Sequence, residues 1–303
     1  MQLLDTVDAE AIRALHERGE FFWLDLHAPS DAQLDALGEL LHIPELAIED
    51  TKEFGQRPKL DDYDTRVLIV FYGAEGGDLV EVHIHVSGDE VVTVRRDHCA
   101  HLHAAKDRML AKHMRTEQEL VYRILDALAE SLRALADMYA VEVEGLEDTA
   151  FRRPTPDQRR RMSQLRSELF RLQQIVVPQR EMLARGGELL EHLPGLERDV
   201  ARHRFRDVHD DLVLTVNQVA YLRELLAEAV NVLLNQMAGR LTIVATIFLP
   251  LTFATGFFGM NFGWLVRHID SAETFFVFGV GGMILPLILA GVLLVRAGYL
   301  GRR

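Results

Sequence analysis

Two uncharged runs near the end of the chain constrain its fold more than anything else in the sequence. Leu241 to Val266 and Thr274 to Val295 hold 26 and 22 residues without an Asp, Glu, Lys or Arg. About 20 apolar residues suffice for a helix to cross the hydrocarbon core of a bilayer, so each run predicts a membrane-spanning helix. Only the seven residues from Arg267 to Glu273 separate them, which predicts a hairpin. Both runs are C-terminal, and MQLLDTVDAEAIRALHERGE lacks the basic-then-apolar order of a secretory leader, so no signal peptide is expected.

Charge orients that hairpin. Arg240, Arg296, Arg302 and Arg303 flank the side that carries the rest of the chain, whereas the loop sets Arg267 against Asp270 and Glu273. The positive-inside rule then predicts a multi-pass protein of the cell (inner) membrane with both termini cytoplasmic. Residues 1–239 hold 28 basic and 44 acidic side chains, a net of −16, which argues against nucleic acid as a partner. Cys99 is the only cysteine and can form no intramolecular disulfide.

The first 110 residues predict a mixed α/β domain. FFWLDL (21–26) and RVLIVFYG (66–73) are apolar strands, LVEVHIHVSGDEVVTVRR (79–96) is a hairpin, and DAQLDALGELLHI (31–43) is an amphipathic helix capped by Ser30. From 111 to 240 helical periodicity takes over. Glu117 to Phe151 is one long helix, ended by Pro154 and Pro156; Asp157 to about His192 is a second, ended at Leu-Pro-Gly. A third starts near Leu196 and meets no breaker before Pro250, which frees the Thr246 carbonyl and predicts a kink. Continued to Phe258, such a helix needs neighbours to cover its apolar stripe, which predicts self-association.

Within it, Asn235, Ala238, Leu241, Ala245, Leu249 and Thr252 follow at steps of three and four and share one helical face. Copies assembled with this face inward would form a conduit with apolar constrictions between two polar ends. An ordinary two-helix anchor touching only lipid is the alternative that periodicity leaves open. Metal-ligating types cluster at Asp97-His98-Cys99-Ala100-His101-Leu102-His103, and His83 and His85 share a strand face; these suit Zn²⁺, Co²⁺ or Ni²⁺, against the plainer reading of surface histidines. There is no Walker A loop, GxGxxG, HExxH or nucleophile elbow, so neither an enzyme nor an organic cofactor is expected.

The run LTIVATIFLPLTFATGFFGMNFGW (241–264), with Gly259-Met260-Asn261 near its end, closely resembles the membrane segment of the CorA family of magnesium transporters. Ala47-Ile48-Glu49-Asp50, Gln56-Arg57-Pro58-Lys59 and Phe205-Arg206-Asp207-Val208 extend the resemblance upstream. It implies an α+β cytoplasmic domain, an α/β/α sandwich, whose long helices run into a two-helix transmembrane hairpin in a funnel-shaped homopentamer. The expected division is 1–110 for the α/β domain, 111–240 for the long helices and stalk, and 241–264 for the first transmembrane helix. An external loop (265–273), a second transmembrane helix (274–295) and a basic tail (296–303) follow.

The resemblance further implies a selectivity filter of Gly259, Met260 and Asn261, with Gly259 turning the backbone, Asn261 offering carbonyls to a hydrated cation and Phe258 beside the mouth. Asn235, Ala238, Leu241, Ala245, Leu249 and Thr252 would line the pore. Ala238 stands where the family usually has a bulky Met, and 226–241 is shorter than its counterpart. Asp50 and Asp207 would hold regulatory Mg²⁺ between neighbouring protomers, with Glu49, Asp210 and Glu144 as further candidates. The implied activity is passive uptake of divalent cations, chiefly Mg²⁺ with Co²⁺ and Ni²⁺, gated by internal Mg²⁺. Two charges moving through 100 mV are worth about 4.6 kcal/mol, enough without ATP. A Zn²⁺ transporter of the same superfamily, although Met260 favours the magnesium branch, and a non-conducting membrane-anchored sensor or scaffold remain alternatives.

Overall fold

Alternation along Phe22, Leu24 and Leu26 against Trp23 and Asp25 decides which way the central sheet faces. The computed structural model describes residues 2–111, 116–150, 154–192, 198–260, 263, 268 and 271–296. They form two compact units, Met1–Thr149 with Pro154–Ala227, and Glu228–Arg303 with Ala150–Arg153.

The first unit is built on six strands, β1 (Gln2–Leu4), β2 (Phe22–His27), β3 (Lys59–Asp62), β4 (Val67–Glu75), β5 (Asp78–Val86) and β6 (Glu90–Arg95), in the order β1-β2-β6-β5-β4-β3. β1, β2 and β6 run parallel, and β6 through β3 are antiparallel. Between β1 and β2 lies α1 (Ala9–Arg18), and between β2 and β3 lie α2 (Asp31–Leu40) and α3 (Glu45–Lys52). Ser30 caps α2 in a reciprocal box with Gln33, as its sequence predicts. The β4–β5 turn is Gly76-Gly77, both at positive φ, the backbone that a two-residue hairpin of this twist demands.

Phe22, Leu24, Leu26, Val92 and Val94 pack with Ile12, Leu15, Leu34, Leu37, Ala47 and Ile48, so α1, α2 and α3 cover one face. The opposite face carries Trp23, Asp25, Thr93 and Arg95 and meets α4 (Ala100–Ala111), whose Lys106 reaches Asp25 at 3.0 Å. On that side α5 (Glu117–Ala150) crosses β4 at Gly73, where a Cβ would lie 2.7 Å from Leu128 Cδ2 and 2.8 Å from Ser131 Oγ. Helices on both faces make the α/β/α sandwich that was expected. Along the β3–β4 edge runs α6 (Pro156–Glu191); its Gln179 side chain accepts from Tyr72 N–H (2.8 Å) and donates to Tyr72 C=O (3.2 Å), substituting for a strand.

Charges are buried at both ends of this sheet. Asp25 accepts from Arg95, Thr93 (2.8 Å) and Lys106; burial works to raise its carboxyl, but these donors hold it below the usual carboxylate range. Arg66 Nη2 donates to Glu90 at 2.5 Å and to the Leu41 carbonyl at 3.2 Å, and His16 lies 3.5 Å from Glu90. Beside them Glu117 is 2% exposed, and among the described residues neither carboxylate oxygen has a hydrogen-bond partner. Burial, then Glu90 and Asp89, push its pKa up to about 8.

Helix α7 (Arg198–Phe258) is 61 residues long with Pro250 inside it, and its residues pass from the first unit to the second at Ala227/Glu228. The second unit completes it with a second apolar helix, Ala272–Arg296, whose Phe275–Val280 segment is π-helical and whose last part is α8 (Gly281–Arg296). Both helices are long and apolar enough to span a bilayer.

Candidate functional site

The sheet presents α3 on one face, and α7 presents a continuous exposed stripe. Asn235, Ala238, Leu241, Ala245, Leu249 and Thr252 are all exposed in the single chain, Leu241 by 72% and Leu249 by 75%. Ile243, Thr246, Pro250, Leu251 and Ala254 are covered or partly covered. At 100° per residue these two sets occupy roughly opposite sides of the helix. On α8, Met283, Pro286, Leu287, Ala290 and Leu294 form a corresponding covered stripe. The predicted pore face is therefore free in one chain, and an apolar surface of this extent calls for lipid or further copies.

The hydroxyl of Thr252 donates to the Phe248 carbonyl at 2.8 Å, and Thr242, Thr246 and Thr255 make the same bond one turn back. With its proton committed to the backbone, Thr252 has oxygen lone pairs left to present. At the helix end Gly259 N–H donates to Thr255 C=O at 2.9 Å and Met260 N–H to Phe257 C=O at 3.3 Å. Gly259 forms a turn just past the end of α7, without a positive φ. What its position requires is the missing side chain, since a Cβ would stand 2.9 Å from the Thr255 carbonyl oxygen. Phe258 is the last helical residue, Met260 is exposed, and Asn261 and Trp264 lie outside the described residues.

The same spacing of three and four continues upstream through Asn231, Glu228 and Glu224, then Tyr221, Asn217, Leu214, Asp210 and Asp207, all exposed. The sequence reading stopped at Asn235 and missed Glu224 and Glu228; extending the step rule seven to eleven residues finds both. A repeat averaging 3.5 stays on one face only if the helix coils left-handedly about its neighbours.

Of the predicted regulatory carboxylates, Asp50 on α3 is part-buried and already engaged: it accepts from Lys59 Nζ at 2.5 Å and Tyr63 Oη at 3.1 Å. Burial acts to lower the Lys59 pKa, but Asp50 and Asp61 outweigh it and hold the ammonium above its ordinary value. Glu49, Asp207 and Glu144 are exposed, and Asp210 lies 3.3 Å from His209 Nδ1. Among the described residues no three His, Cys, Asp or Glu side chains converge as a metal would require.

That statement covers the histidine cluster too. Cys99 is buried and its thiol is pushed up by burial, while His98 and His103 are exposed with ring centroids 6.2 Å apart, so a shared ligand set at 98–103 is not formed. His83 and His85 do share a strand face, but both are fully buried rather than at the surface. His83 Nε2 meets Glu81 at 2.8 Å and His85 Nε2 meets Thr51 Oγ1 at 2.7 Å.

The family described as CorA-like Mg²⁺ transporter protein matches residues 18–296. The cobalt/magnesium transport protein CorA of Thermotoga maritima is 26% identical over 285 residues, covering 86% of this chain and 78% of the relative. The zinc transport protein ZntB of Yersinia enterocolitica is 28% identical over 181 residues, 57% of this chain and 52% of the relative. Among solved structures, the complete CorA magnesium transporter from Methanocaldococcus jannaschii shares the fold with a TM-score of 0.66 at 21% identity, covering 92% of this chain and 91% of that one.

Proposed function

The chain belongs to the CorA-like Mg²⁺ transporter family, whose members carry divalent cations across membranes rather than catalyse reactions, and from that premise we propose that it admits Mg²⁺ through an axial pore lined by α7 in a homopentamer. The observation that carries this reading is the exposed stripe from Asn235 to Thr252, opposite the covered side of the same helix. Flow is inward and passive, driven by the membrane potential, with both termini cytoplasmic and Co²⁺ and Ni²⁺ as secondary substrates. Mg²⁺ releases its water reluctantly, so Gly259, Met260 and Asn261 meet it hydrated, with Asn261 as the oxygen donor. Ala245, Leu249 and Leu241 form the dry stretch, Ala238 and Asn235 follow, and Phe258 stands beside the mouth. Glu228 and Glu224 add negative charge below, where it draws cations onward.

Regulation uses Mg²⁺ bound between Asp50 of one copy and Asp207 of the next, with Glu49, Asp210 and Glu144 nearby. Lys59 and Tyr63 both engage Oδ2 of Asp50, so the metal would meet Oδ1 of a carboxylate whose charge is shared with an ammonium 2.5 Å away. A weak regulatory affinity, suited to an abundant internal ion, is the expected consequence.

The decisive measurement is influx into liposomes holding a Mg²⁺-sensitive dye under an inside-negative potential. Asn261→Ala is expected to cut influx to background, and influx indifferent to that change would reject the pore. Asp50→Ala with Asp207→Ala is expected to raise the internal Mg²⁺ at which flux halves; an unmoved value would reject the regulatory site. Because one relative is named a zinc transporter, Zn²⁺ is the second reading, and liposomes loaded with a Zn²⁺ dye separate the two.

A further inference from the structure

The segment after α3 is held by a buried pair that the proposed transport mechanism leaves unused. Glu81 on β5 is 7% exposed, and its Oε2 accepts from Gly55 N–H at 2.5 Å while Oε1 accepts from Gln56 N–H at 3.2 Å and meets His83 Nε2 at 2.8 Å. Burial works to raise the Glu81 carboxyl, but His83 and the Gly55 N–H outweigh it and hold it below the usual carboxylate range. Gly55 sits at φ +91, a backbone that few other residues adopt, so the turn presents both N–H groups to one carboxylate.

From that turn the contacts lead back to Asp50. Gln56 Nε2 donates to the main-chain carbonyls of Asp50 and Glu53, and the Tyr72 hydroxyl donates to the Gln56 carbonyl at 2.6 Å. Phe54 stacks on the His83 ring with centroids 4.6 Å apart, and the Arg96 guanidinium lies 4.3 Å from the Phe54 centroid. Arg96 also donates to the Lys52 carbonyl at 3.0 Å, and Thr51 is tied to buried His85. The end of α3 is thus fixed to the sheet just past Asp50, through Thr51, Lys52, Phe54 and the Gly55-Gln56 turn.

We propose that Glu81 and His83 are positioning residues that fix where α3 presents Asp50, and thereby set the internal Mg²⁺ concentration at which transport shuts. This rests on the regulatory role of Asp50 proposed above. Glu81→Gln keeps the shape and removes the charge that gathers the two N–H groups and His83. Gln56→Ala cuts the link to the Asp50 carbonyl and leaves the buried pair intact.

Dye-loaded liposomes, assayed over a range of internal Mg²⁺, test this with the full-length protein. In Glu81→Gln the half-inhibiting concentration is expected to rise roughly three- to tenfold, the loss of about one net hydrogen bond, with maximal flux at zero internal Mg²⁺ unchanged. Gln56→Ala is expected to act in the same direction and serves alone if Glu81→Gln fails to fold. In an Asp50→Ala background neither change should shift the value further. An unmoved half-inhibiting concentration in both variants, equal loss of maximal flux, or an undiminished shift in the Asp50→Ala background would each overturn the positioning role. If Asp50→Ala itself leaves inhibition unchanged, the regulatory reading falls and this inference with it.

Discussion

Glu117→Gln is expected to raise the unfolding temperature of the protein at pH 8.5 and to leave it nearly unchanged at pH 5. Glu117 is buried without a hydrogen-bond partner on either oxygen, and its pKa stands at about 8 against an ordinary 4.5. A carboxyl whose folded pKa is raised contributes fully below the unfolded value and loses that contribution as pH climbs to the folded one. The penalty therefore opens at about pH 4.5 and is complete near pH 8, where it reaches about 4 to 5 kcal/mol. Glutamine matches the shape and stays neutral, so it removes the pH-dependent part alone. In thermal scans in detergent the gap at pH 8.5 should be on the order of 10 °C. A gap of the same size at pH 5 would mean that packing, not the proton, is responsible.

Arg66→Met is the second large effect, and it strikes the same neighbourhood. Arg66 and Glu90 have side chains 4% and 2% exposed and are 2.5 Å apart, so methionine fills the volume while leaving Glu90 buried with only His16 for company. Breaking a buried pair from one side costs about 3 to 5 kcal/mol, whereas removing both charges costs far less. Arg66→Met with Glu90→Gln should thus recover most of the loss. Because the Arg66 charge lowers the Glu117 pKa, its removal should also move the Glu117 window to higher pH. Scans of Arg66→Met, Glu117→Gln and their combination form a cycle in which strict additivity would refute the coupling.

Neither residue could be singled out by reading along the chain. Arg66 and Glu90 are 24 positions apart and meet only because β4, β5 and β6 fold as a meander, and Glu117 joins them from the start of a helix. The long-period features were legible for the opposite reason. α5 and α6 begin and end within two residues of the expected points, because Pro154 and the Thr155-Pro156 pair are local signals. The strands at 22–27, 67–75, 78–86 and 90–95 fall on the predicted apolar runs. β3 was missed because Lys59–Asp62 has little strand character of its own and is ordered by pairing with β4.

The candidate site divides in the same way. The helical face from Asn235 to Thr252 was readable because a helix carries its periodicity in the sequence, and all six of its residues are exposed. The surroundings of Asp50 were not, since Lys59, Tyr63 and Gln56 converge on it through a turn whose shape depends on Glu81 from another strand. Gly259 shows a subtler limit: the turn expected there is present, but the carbonyl that leaves no room for a Cβ comes from the fold.

The unbroken length of α7 has a mechanical consequence. Glu228 and Leu249 lie on one stretch of α7 within the second unit, about 32 Å apart along its axis. Such a stretch is a lever that turns angle into distance: pivoted at Glu228, about two degrees of tilt carry Leu249 sideways by about 1 Å. In the proposed pore, whose leucine constriction would gate by dewetting, a small tilt of this lever would bear on whether an ion passes.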